Sequence, residues 1–166
     1  MKNKILVINI CKEPLHYFEF VKPIEDILKN NKLDCFVKHY LDITEADIKK
    51  ADKIIICGTS LADNDFLKDM KKFSWIKYYE KPILAICGGA HIIGLSLGYK
   101  LKKNKQIGLK EINIKKEFLG VKGKIQAYHL HQFHVLPDLF KKDNIYATLF
   151  HPEVRNKEII ENFCKL

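Results

Sequence analysis

The sequence is short of arginine. Arg155 is the only one, so the net charge of +9 at pH 7 is almost entirely a lysine excess. Bidentate reading of phosphates and base edges uses the guanidinium fork, which an ammonium lacks. The lysines are also spread along the chain, the pattern of a solvated surface. No nucleic-acid partner is therefore expected, and an acidic protein partner is the polyanion that stays open. Long hydrophobic runs are missing too: no apolar stretch approaches the roughly 20 residues of a membrane-spanning helix, and no membrane partner is expected. The basic start Met1-Lys2-Asn3-Lys4 leads into a short apolar run at residues 5–10 with no small-residue cleavage site, so it reads as a first strand rather than an export signal. Paired cysteines are absent. The five present, Cys11, Cys35, Cys57, Cys87 and Cys164, are odd in number and irregularly spaced. That excludes a secreted disulfide framework and points to a reducing compartment, the cytoplasm. No repeat, low-complexity segment or Ser/Gly-rich linker interrupts the 166 residues, which read as one domain, 1–166.

What is present is an alternation of two hydrophobic periods. Strand-like runs at residues 5–10, 33–40, 53–57 and 83–86 alternate with helical patterns at 15–28, 43–51, 65–79 and 90–97. This βαβ series predicts an α/β fold in three layers, a mostly parallel central sheet with helices on both faces, whose ligands bind beyond the carboxyl ends of the strands. From residue 107 the pieces become shorter, at 107–115, 123–129 and 145–150, before a last helix at 156–165, so the second half is expected to be partly antiparallel. The lysine-rich segments 101–105 and 141–144 read as exposed turns.

One strand-to-helix junction stands out. In Pro82-Ile83-Leu84-Ala85-Ile86-Cys87-Gly88-Gly89-Ala90-His91 a cysteine ends an apolar strand, with Ala85 two residues before it and Gly89 two after. A nucleophile on such a tight turn adopts a strained backbone, and bulky side chains two positions away would collide as the chain reverses. The helix N-terminus favours thiolate, and the Gly88 N–H is a ready oxyanion donor. The junction alone is equally readable as a buried cysteine beside a glycine-rich phosphate turn. A second segment, Leu149-Phe150-His151-Pro152-Glu153, ends a strand in an imidazole and a carboxylate. A cysteine nucleophile needs an imidazole to take and return its proton, and that imidazole benefits from a carboxylate that fixes its tautomer. Taken alone, His151 is as well read as a surface histidine, and Glu153 as a first-turn acid of a helix. The combination of Cys87 with His151 and Glu153, on two strands of one sheet, makes a catalytic triad the better reading.

At these residues the sequence resembles the class I (triad-type) glutamine amidotransferase family, whose signature is a small-x-Cys-x-Gly elbow followed far downstream by Phe-His-Pro-Glu. The resemblance covers nearly the whole chain. Lys53-Ile54-Ile55-Ile56-Cys57-Gly58 is similar to the strand leading to the family's oxyanion loop, and Tyr128-His129 followed by Leu136-Pro137 to its penultimate segment. Within the family the layout, including Asn162-Phe163-Cys164-Lys165 in the last helix, is most similar to the separate glutaminase subunits of archaeal-type GMP synthases. The resemblance implies a flavodoxin-like three-layer domain that hydrolyses the side-chain amide of glutamine through a γ-glutamyl thioester. It needs no cofactor and passes ammonia to a synthetase partner. Carried over, Cys87 attacks, His151 shuttles protons, Glu153 orients His151, and the amides of Gly88 and of Gly58 or Thr59 hold the oxyanion.

The chain departs from the family at three places: His91 stands where glutamine usually helps to hold the substrate, Gly58-Thr59-Ser60 replaces a Gly-Gly-Pro loop, and Leu149 replaces a glutamine. Gly89 and His91 beside the elbow, with His129 and His131 on one face of a strand, are the expected substrate contacts. A zinc site on the two strand histidines is conceivable, but no cysteine or carboxylate lies near them in sequence, so no metal is assigned. These departures leave two further readings open. One is a stand-alone hydrolase of another γ-glutamyl or small amide compound. The other is a non-catalytic binding or regulatory protein with an altered pocket.

Overall fold

The computed structural model describes residues 3–166. Strands β1 (Lys4–Asn9), β2 (Asp34–His39), β3 (Lys53–Ile56) and β4 (Ile83–Ile86) come first. They are followed by β5 (Lys102–Phe118), β6 (Val121–His134), β7 (Leu139–Lys142) and β8 (Ile145–Thr148). Six of them form one sheet in the order β2-β1-β3-β4-β8-β7, parallel except for the edge strand β7, which pairs antiparallel with β8. The helices are α1 (Tyr17–Phe20), α2 (Lys22–Asn30), α3 (Glu45–Lys50), α4 (Gly88–Ser96), α5 (Pro152–Arg155) and α6 (Lys157–Cys164).

Alternation along the strands divides the core into two layers. Ile5 and Val7 of β1, Ile55 of β3 and Leu84 and Ile86 of β4 pack with Phe20, Ile24, Ile159 and Phe163 from α1, α2 and α6. Leu6, Ile8, Ile54, Ile56 and Ala85 face the opposite way, onto Phe66, Phe73, Ile92 and Ile93. These side chains are almost wholly buried, and each large one contributes roughly 1.5–3 kcal/mol by leaving water. The parallel inner strands are mostly apolar because both faces are covered, which is why they read so clearly in the sequence. No helix among the described residues is long and apolar enough to cross a membrane.

Several expected boundaries move. The helical pattern at 15–28 is a 3-10 turn at Pro14–His16 followed by α1 and α2. Pro23 has no N–H with which to continue the ladder, so the break falls at Val21. The pattern at 65–79 is a 3-10 stretch, Asp65–Tyr78, interrupted at Asp69, whose carboxylate accepts the Tyr40 hydroxyl at 2.9 Å. The strand pieces at 107–115 and 123–129 belong to one long hairpin, β5–β6, which forms a two-stranded sheet of its own. That hairpin absorbs residues 102–105, expected to be a turn. Lys141 and Lys142 close β7, leaving Asp143, at φ 51°, and Asn144 to make the turn. α3 opens on a capping box, with Thr44 and Asp47 exchanging side-chain and backbone hydrogen bonds.

Candidate active site

The carboxyl ends of β1, β3, β4 and β8 converge on one edge of the sheet. Cys87 follows β4 directly and has φ 46° and ψ −100°, a positive φ that a cysteine rarely adopts. The turn is held on both sides, because Cys87 N–H donates to Thr148 O at 2.8 Å and Cys87 O accepts from His91 N–H at 3.0 Å. Strain of this kind persists only where the surroundings enforce it. The neighbouring glycines make the close packing feasible. A Cβ on Gly89 would stand 2.5 Å from Ile56 O, and one on Gly88 would stand 2.8 Å from Ile10 Cδ1.

His151 and Glu153 arrive from the end of β8 and the first turn of α5. His151 N–H donates to Tyr128 O at 2.8 Å, and His151 Nδ1–H donates to Glu153 Oε1 at 2.7 Å. Both side chains are about 1% exposed. The Nδ1 bond leaves Nε2 as the nitrogen that can gain or lose a proton, and Nε2 is buried without a hydrogen-bond partner among the described residues. Burial opposes the imidazolium, but the Glu153 carboxylate and then Cys87 outweigh it, so His151 holds its proton well above the ordinary imidazole range. Gly58 closes the group: a Cβ there would lie 2.6 Å from His151 Cε1 and 3.4 Å from Cys87 Cβ. Gly58 thus abuts both His151 and Cys87, and Glu153 reaches the group through His151. Neither Gly58 N–H nor Thr59 N–H takes part in a main-chain hydrogen bond outside the strands.

The Cys87 thiol donates to Leu130 O of β6 at 3.5 Å. Around it, Thr59, Asp63, Gly88, His91 and His131 wall a cleft with about 10 Å³ of free space, room for one water molecule. A side chain the size of glutamine's does not fit in that space, which the β6 segment 130–132 and the loop 59–64 border. A groove of about 780 Å³ beside Trp75 and Tyr78 shares no residue with this cleft and is lined by no cysteine or histidine.

The remaining expected site residues divide. His91 and His131 line the cleft, and both are lowered to about 4, first by burial and then by neighbouring imidazoles. They are neutral at pH 7. His91 Nδ1 and His131 Nε2 have no partner, whereas His131 Nδ1 donates to Asn104 O at 2.8 Å. His129 shares the buried face of β6 with His131, their rings 5.4 Å apart, but it is not a cleft wall. Its Nε2 pairs with Asp138 Oδ1 at 3.1 Å, a carboxylate that sequence spacing does not link to it, and this bond lowers Asp138. Gly89 is also outside the cleft, spent on packing α4 against β3. Among the described residues no three His, Cys, Asp or Glu side chains converge as a metal-binding set. The other four cysteines are held as thiols by burial: Cys11 is pushed up to about 11 and Cys164 to about 12, while Cys35 and Cys57 are also raised.

The structure is therefore an α/β sheet that carries a strained cysteine elbow beside a buried histidine–carboxylate pair. Residues 16–162 match the family described as glutamine amidotransferase class-I, and the chain belongs to that family. It is 28% identical to the HisH component of the imidazole glycerol phosphate synthase of Pelagibacter ubique over 72% of this chain and 82% of that one. It is 26% identical to one component of the glutamine-hydrolyzing GMP synthase of Methanosarcina mazei over 98% and 96% of the two chains. A solved structure from Thermoplasma acidophilum, assigned as a GMP synthase component, superposes with a TM-score of 0.83 at 21% identity, covering 99% and 94% of the two chains. Relatives of both kinds are named as one subunit of a larger synthase.

Proposed function

We propose that this chain hydrolyses the side-chain amide of glutamine and supplies ammonia to a synthetase partner. The observation that carries the reading is the contact of Cys87, on its positive-φ elbow, with the buried His151–Glu153 pair. His151 Nε2 takes the thiol proton as Sγ bonds to the amide carbon. The oxyanion that forms is held by the amides of Gly88 and of Gly58 or Thr59. His151 then returns the proton to the leaving nitrogen, and the C–N bond breaks to give ammonia and the γ-glutamyl thioester. Water, deprotonated by the same imidazole, cleaves the thioester to glutamate and restores the thiol. Glu153 keeps the imidazole oriented and stabilises its charged form.

The closed cleft supports a partner-dependent enzyme, since a 10 Å³ space admits no glutamine until β6 or the 59–64 loop shifts. The β5–β6 hairpin is the docking face we favour. Between residues 102 and 124 eight lysines stand against two glutamates, Glu111 and Glu117, and Ile107 and Leu109 are 55% and 53% exposed. Their cross-strand partners are Leu130 and Tyr128, which adjoin Cys87 and His151. That surface suits an acidic protein rim. Five unpaired cysteines suit the cytoplasm.

A second reading, another γ-glutamyl or small amide substrate, is favoured by His91. Its neutral imidazole presents one unpartnered nitrogen to the cleft where an amide side chain would both donate and accept. Glutamate and ammonia release from glutamine by the purified chain, with Cys87→Ala as control, tests the first reading. Slow turnover that rises when a synthetase partner is added supports it. Partner-independent turnover of a different amide, with none of glutamine, supports the second.

A further inference from the structure

The loop Gly58-Thr59-Ser60 lacks the proline that would stiffen it, yet it is tightly held. Asp63 is 9% exposed, and its carboxylate is the knot. Oδ2 accepts the Thr59 hydroxyl at 2.6 Å and the Lys12 N–H at 2.8 Å, while Oδ1 accepts the Asp65 N–H at 3.2 Å. Asp63 N–H closes the loop onto Ser60 O at 3.1 Å. One carboxylate therefore joins three backbone segments: the chain leaving β1, the loop leaving β3 and the start of the 3-10 stretch. All of its partners are neutral, so its charge is satisfied by aimed hydrogen bonds and not by a cation. Thr59 and Asp63 both wall the cleft over Cys87, and Gly58, next to Thr59, abuts His151 and Cys87.

We propose that Asp63 is the positioning residue of the oxyanion hole: by holding the Thr59 hydroxyl and the Lys12 amide together, it sets the Gly58 and Thr59 N–H groups against Cys87. This rests on the glutaminase reading above. Asp63 touches no reacting atom and acts through the backbone of its neighbours. The oxyanion exists only in the tetrahedral step, so loosening its donors costs turnover more than substrate binding.

Asp63→Asn places an NH2 against a donor that the carboxylate accepts, and Thr59→Val removes the hydroxyl at nearly constant volume. Both variants are compared with the wild type in kcat and KM for glutamine, in the rate of Cys87 alkylation by iodoacetamide, and in thermal unfolding. Alkylation forms no oxyanion and serves as the control for an intact nucleophile. The expected result is a kcat lowered about 10- to 100-fold in both variants, KM changed less than about threefold, and alkylation within about twofold of the wild type. The proposal is overturned if kcat stays within about threefold in both variants, or if alkylation falls in step with kcat, which marks general collapse of the site. A wild-type protein that turns over no glutamine, alone or with its synthetase, overturns the glutaminase reading itself. A wild type that works beside unaffected variants overturns this inference alone.

Discussion

The Cys87 thiol donates to the carbonyl of Leu130 at 3.5 Å, while His151 Nε2, in the same buried site, has no hydrogen-bond partner. Sγ thus lies between a main-chain acceptor of β6 and the imidazole whose proton affinity it helps to raise. On the proposed function, a partner that shifts the hairpin is expected to change both access to the cleft and the engagement of Cys87 with His151.

Removing the charge of Glu153 while keeping its shape isolates the role of the carboxylate. Glu153→Gln leaves the fold intact and lowers kcat by roughly 100- to 10,000-fold, because the imidazolium loses its counter-charge and its fixed tautomer. The proton affinity of His151, now raised chiefly by Glu153 against the effect of burial, falls in the variant. NMR titration of the His151 ring beside steady-state kinetics checks both parts.

The space at Gly58 is already occupied by its neighbours. Gly58→Ala would set a methyl group 2.6 Å from His151 Cε1, so the imidazole or the loop has to shift. We expect turnover to fall at least about 100-fold, with a stability loss of about 1–3 kcal/mol from overpacking. Kinetics and denaturant unfolding on the same preparation measure the two effects. Glycine-level activity in the alanine variant would contradict the geometry.

His91 and His131 make the protein acid-sensitive. In the folded chain both stay neutral down to about pH 4, whereas in the unfolded chain they take up protons near the ordinary imidazole value of 6.5. The unfolded state thus binds more protons as the pH falls, and stability that is full above 6.5 is lost between about 6.5 and 4. Imidazoles face one another here, His131 and His134 beside His91, and His129 and His151 beside His131, while Asp138 adjoins His129 and His131, Glu153 pairs with His151, and Asp63 lines the same cleft. Melting temperatures from pH 7 to 4 should fall across that window, and His91→Gln should make the fall shallower.

Much of this site is legible in the sequence because its signals are local. Ala85-x-Cys87-x-Gly89 states the steric demands of an elbow, and Phe150-His151-Pro152-Glu153 puts the proposed base and its orienter within four residues. The strands of the parallel core are equally plain, since burial on both faces leaves them mostly apolar. What escapes depends on distant contacts or on backbone atoms. Asp63 matters through Lys12, 51 residues away, and the Leu130 carbonyl has no side-chain signature. The β5–β6 hairpin is polar along much of its length, with register shifts between Lys103 and Gln106 and between Ile114 and Phe118, so its strands read as fragments. Lys141 and Lys142 suggest a turn because lysine is also what an exposed edge strand carries. His129 is legible as a partner of His131 on one strand face. Its bond to Asp138 crosses the β6–β7 connection and has no periodicity to reveal it.

The most direct test is covalent capture of the nucleophile. Purified protein is incubated with a diazo-ketone analogue of glutamine, with Cys87→Ala as control, and adducts are located by peptide mass spectrometry. The four remaining cysteines are held as thiols by burial, so label confined to Cys87 and blocked by excess glutamine is the predicted result. A Cys87 that reacts with neither the analogue nor a simple alkylating agent, in the presence or absence of a synthetase partner, would contradict the account.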